Sequence, residues 1–94
     1  VKTKAAIAAY DIVHSSVESD VRALQRAADK YASAGMYRQF YRGTYNRINA
    51  TLGRMINSIQ EFMSKHGDYL PQELYDHLMQ DRQKILDIEV PPPY

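Results

Sequence analysis

No cysteine occurs among the 94 residues, which excludes a disulfide framework, a thiolate metal site and a cysteine nucleophile. No apolar run approaches the roughly 20 residues that cross a bilayer as a helix, so no direct membrane insertion is expected. Neither sign of charge is in excess. Twelve Lys and Arg stand against eleven Asp and Glu, for a formal +1, too balanced for a general nucleic-acid or membrane-surface binder, while a local patch stays open. There is no G-x-S-x-G, no glycine-rich phosphate loop and no close carboxylate pair, so the chain reads as a non-enzyme with no cofactor. A di-iron bundle needs Glu-x-x-His pairs, and here Glu73 and His77 stand four apart and only Asp11 and His14 have the acid-x-x-His spacing. No metal site is therefore expected, and His14, His66 and His77 read as surface or cap histidines.

What the chain has in abundance is helical periodicity. Over residues 37–66, Tyr41, Tyr45, Ile48, Leu52, Met55, Ile59 and Phe62 recur at a 4-3-4-3-4-3 spacing, one stripe on a long helix, with Arg47, Arg54 and Lys65 almost opposite. A stripe of this length needs other helices along it. Residues 2–14 carry Ile7, Tyr10 and Val13 and suit a first helix capped by Thr3. Ser15 and Glu18 form the S-x-x-E of a capping box, which predicts that a second helix starts near Ser16 and carries Val17, Val21, Leu24, Ala28 and Tyr31. Gly35 suits a left-handed C-cap, and Gly43 weakens the first turns of the long helix, so residues 36–42 read as a separate turn or bend.

Lys65, His66 and Gly67 suit the end of that helix. Pro71 and Glu73 then suit the start of a last one with Leu74, Leu78, Ile85 and Ile88 in its stripe. The expectation is an all-α, antiparallel up-down-up-down four-helix bundle over residues 1–89, monomeric when free, with an extended proline-rich tail at 90–94. A start on Val1 and an end on a proline run suggest a processed or excised chain.

Three features suggest contacts. Arg22, Arg26 and Lys30, spaced four and four, share a face away from the second stripe and suit either solvation or an acidic partner. Arg82 divides a broad apolar face, with Leu74, Leu78 and Ile85 on one side and Tyr75, Met79 and Leu86 on the other. It suits snorkelling, a pair with an acid from a neighbouring helix, or an apolar strip that meets another protein. Pro91, Pro92 and Tyr94 fit P-P-x-Y, the polyproline ligand of WW domains, as well as a plain stop before an untethered tail. The tyrosines near Arg38 and Arg42 suggest an RNA-stacking surface. Tyr41 and Tyr45, however, fall on the core stripe and the arginines on its flank, so the tyrosines read as buried rings with rim hydroxyls and no nucleic-acid partner is expected.

Tyr37-Arg38, Thr44-Tyr45, His66-Gly67 and Leu70-Pro71 give the stretch 31–85 a further reading. It resembles the small four-helix extrinsic subunits of photosystem II: the PsbQ-like proteins, a related subunit of diatoms, and the luminal assembly factor of the same shape. The second arginine and the glycine-histidine-tyrosine run usual in the assembly factor are missing, so a PsbQ-like or diatom subunit fits better. The resemblance implies a non-catalytic protein of the chloroplast thylakoid lumen, docked on the photosystem II core beside other extrinsic subunits. There it would support oxygen evolution without binding the ions itself. The alternative is a helical adaptor whose PPPY tail is held by WW domains; a third reading is a small bacterial or phage helical regulator.

Overall fold

Helix α1 runs unbroken over Lys2–Ala32 in the computed structural model, which describes all residues from Val1 to Tyr94. The boundary expected near Ser16 is absent, and the chain forms three helices instead of four. The physical reason lies in residues 2–32 themselves, which contain neither glycine nor proline. Serine in a helix interior costs only tenths of a kcal/mol. The inward positions Ala6, Tyr10, Val13, Val17, Val21, Leu24, Ala28 and Tyr31 are buried or half-buried at unbroken three- and four-residue steps, so a break at Ser15 would throw two halves of one stripe out of line. Glu18 meets the His14 ring at 3.1 Å, a partner one turn back along the same helix.

Past Ala32 the chain turns at Gly35, whose φ of +57° is the left-handed conformation that glycine reaches without steric penalty. A 3₁₀ segment, Gly35–Tyr41, then leads into α2, Arg42–His66, in agreement with a separate turn ahead of the long helix. The α2 stripe is a core from Ile48 onward: Ile48, Met55, Ile59 and Phe62 are buried, and Tyr45 and Leu52 half-buried. Tyr41 departs from the expectation. It belongs to the 3₁₀ turn and is exposed, because the tighter winding there rotates it off the stripe. Gly67 closes α2 in ordinary right-handed geometry, φ −57°, and the chain continues through a 3₁₀ turn, Gly67–Tyr69, before extending at Leu70. Pro71 precedes α3, Gln72–Leu86.

The order is up, down, up. The Tyr31 and Tyr45 rings meet at a tilt at one end of the rod, and Tyr10 shares a cluster with Phe62 towards the other, so α1 and α2 oppose each other. α1 and α3 run parallel: Lys2 meets Tyr69, Tyr10 meets His77 and His14 meets Asp81, each across 67 residues. Val17, Met55, Ile59 and Ile85 fill one apolar cluster, and Tyr10, Phe62 and Leu78 the next. The result is a rod of 53 × 17 × 15 Å.

Candidate functional site: a buried histidine–aspartate pair, a clasped tail and free cations

Asp81 is the one charged side chain buried in the bundle, 1 % exposed. It sits in the α3 stripe, between Leu78 and Ile85, where an apolar residue would complete the repeat. A lone carboxylate there would be costly to dehydrate. Its Oδ2 lies 2.6 Å from His14 Nδ1, and His14 Nε2 lies 3.1 Å from Glu18 Oε1. Both contacts are donated at once only by an imidazole carrying a proton on each nitrogen. Tyr10 stacks on the same ring at 5.3 Å, and its hydroxyl lies 3.3 Å from His77 Nδ1. Burial pushes the Tyr10 phenol above its ordinary value, and the charges of Asp81, Asp11, Glu18 and Glu73 push it the same way.

This cluster corrects the reading of the histidines. His14 is three-quarters covered and braced between two helices, and His77 faces Tyr10; only His66, against the Phe62 ring at 5.1 Å, ends its helix as expected. The missed signal was the step from Leu78 to Ile85, which leaves position 81 facing inward. No group of three His, Asp or Glu side chains converges to hold a metal ion. Both His14 nitrogens face carboxylates, and the contact with Asp81 ties α1 to α3.

The tail is tied down, contrary to a free end. The Tyr31 hydroxyl donates to the Pro91 carbonyl at 2.8 Å, and Arg38 Nε donates to the Pro92 carbonyl at 3.0 Å. Pro93 is buried, and the Arg42 guanidinium stands 6.0 Å from the centre of the Tyr94 ring.

Arg22, Arg26 and Lys30 are all exposed along α1. The only ion-pair contacts in the chain are those of His14, so none of the three has an acidic partner. Arg22 reaches a shallow cleft of about 300 Å³ that it shares with Glu18, Asp81 and Lys84. Arg82 is half-buried on α3 and forms no ion pair, so the pairing with an acid of a neighbouring helix is not observed. No protein-family model, curated protein or solved structure matches the chain.

Proposed function

We propose that this chain is a non-catalytic docking protein, and, following the resemblance of residues 31–85, an extrinsic subunit on the luminal side of photosystem II that supports oxygen evolution. The observation that carries the docking reading is the row Arg22, Arg26 and Lys30: three exposed cations, none of which forms an intramolecular ion pair. Surface charges left unpaired add little to folding but steer and select a partner of opposite sign. The partner is then an acidic face of the photosystem II core or of a neighbouring extrinsic subunit, and the location the thylakoid lumen. The four-helix form that accompanies the resemblance has one more helix than the three described.

The WW-ligand reading stands second. With Pro93 buried and two tail carbonyls held by Tyr31 and Arg38, the motif would have to leave the bundle before an aromatic groove could take it.

The test is rebinding to photosystem II membranes stripped of extrinsic proteins, across a salt series. The wild-type chain should bind and weaken as salt rises, because charges beyond about 8–10 Å are screened at physiological ionic strength. The variant R22Q/R26Q/K30Q should bind more weakly at low salt and show a shallower salt dependence. Overlapping curves would remove the row from the interface; no binding by the wild type would remove photosystem II.

A further inference from the structure

Residues 30–60 contain Lys30, Arg38, Arg42, Arg47 and Arg54 and not one Asp or Glu, although the whole chain carries eleven acids. Within this cationic stretch lies the 3₁₀ segment Gly35–Tyr41, and its large side chains face solvent: Met36 is 78 % exposed, Phe40 71 %, Tyr37 60 % and Tyr41 51 %. We propose that this end of the rod docks on an anionic lipid surface, with Met36, Tyr37, Phe40 and Tyr41 entering the headgroup layer and the surrounding cations meeting lipid phosphates. This goes beyond the protein-docking reading and does not rest on it.

The geometry is local and specific. Gly35 turns the chain across the end of α1. Because side chains three apart in a 3₁₀ helix eclipse one another, Tyr37 and Phe40 stack with ring centres 6.4 Å apart and planes within 24°. Tyr41 and Lys30 line one cleft, and Phe40, Tyr41 and Arg47 line another. Each cleft therefore sets a cation beside an aromatic ring of the group. The acids Asp29, Asp87 and Glu89 line a different cleft, together with Val90 and Pro91 of the tail. Aromatic side chains with Arg or Lys beside them match the boundary between headgroups and acyl chains.

Charge complementarity alone would also admit single-stranded nucleic acid, but the apolar part favours lipid. Met36, the most exposed of the four, has no ring to stack on a base. A strand would also need rings free to stack on successive bases, whereas Tyr37 and Phe40 stack on each other. No helix is long and apolar enough to cross a membrane, so the contact is peripheral.

The experiment is co-sedimentation of the full chain with vesicles of phosphatidylcholine alone and of phosphatidylcholine mixed with phosphatidylglycerol. Binding should appear with the mixed vesicles only and fall as salt rises. Met36→Ser with Phe40→Ser should weaken it about tenfold or more, with the helical circular dichroism and melting temperature unchanged. Failure to bind the mixed vesicles would overturn the proposal. So would equal binding by the double variant, which would show plain charge attraction, or capture of a uridine oligonucleotide in place of vesicles.

Discussion

Asp81 on α3 and His14 on α1 meet at 2.6 Å, at the same 67-residue offset that aligns Tyr10 with His77 and Lys2 with Tyr69. The polar contacts thus mark the register of two parallel helices, while the apolar clusters fill the space between all three. Removing His14 strands a buried carboxylate, whereas removing Asp81 leaves a histidine that still has Glu18 and water. His14→Ala should therefore cost about 2–4 kcal/mol. Asp81→Leu, which completes the stripe of Leu74, Leu78 and Ile85, should be near neutral or stabilising. Urea titrations of both variants decide it: an equal loss for the two would show that the pair itself is a net source of stability.

The second prediction concerns alkaline pH and Tyr10. Its folded-state pKa is raised, by burial first and by the surrounding carboxylates next, so the folded chain keeps this proton at a pH where the unfolded chain gives it up. The stability linked to Tyr10 is whole below about pH 10, the unfolded value, and is lost as pH climbs through the folded one. Measured between pH 8 and about 11, wild type should lose stability more steeply than Tyr10→Phe. Parallel losses would place the phenol in ordinary solvent.

Packing along α2 separates positions that share a spacing. Ile59 is fully buried, and Ile59→Ala should cost about 2–5 kcal/mol. Leu52→Ala, at a half-buried site, should cost less, and Tyr41→Ala should stay within about 0.5 kcal/mol because that ring is exposed. A large loss at Tyr41 in the same denaturant series would return it to the core.

Continuity of α1 predicts the effect of Ser15. Inside a helix, Ser15→Ala is neutral or slightly stabilising. At an N-cap the same change would cost about 1 kcal/mol. Thermal melts of the single variant distinguish the two, and a clear loss would restore the break.

The clasped tail should resist trimming. Tyr31→Phe with Arg38→Gln removes both donors to the Pro91 and Pro92 carbonyls, and carboxypeptidase should then shorten the C-terminus markedly faster than in wild type. Equal rates would show that burial of Pro93 alone holds it.

Much of the fold was legible as periodicity. The α2 stripe, the turn ahead of it, the left-handed Gly35 and the start of α3 at Pro71 all follow from residue type and spacing. The break at Ser16 did not follow, because a capping box is a local pattern. The same Ser and Glu stand comfortably inside a helix whose inward face runs on without interruption. Asp81 was overlooked because an acid in a stripe reads as a gap until its partner is known, and that partner lies 67 residues away on another helix. The exposure of Phe40 and Tyr41 depends on a change from α to 3₁₀ winding, which apolar spacing does not register. That Arg22, Arg26 and Lys30 share an exposed face was legible, since it needed only a helix.

The parallel pairing of α1 with α3 also orders the events of folding. α1 and α2 are neighbours joined by a short turn and can close as a hairpin, whereas α3 must return across the full length of α2 before His14 finds Asp81. Contacts of long sequence separation carry the larger loop-closure cost and tend to form late. The His14–Asp81 pair then closes late on the finished rod, and removing His14, which strands the carboxylate, would chiefly quicken unfolding, with refolding little changed.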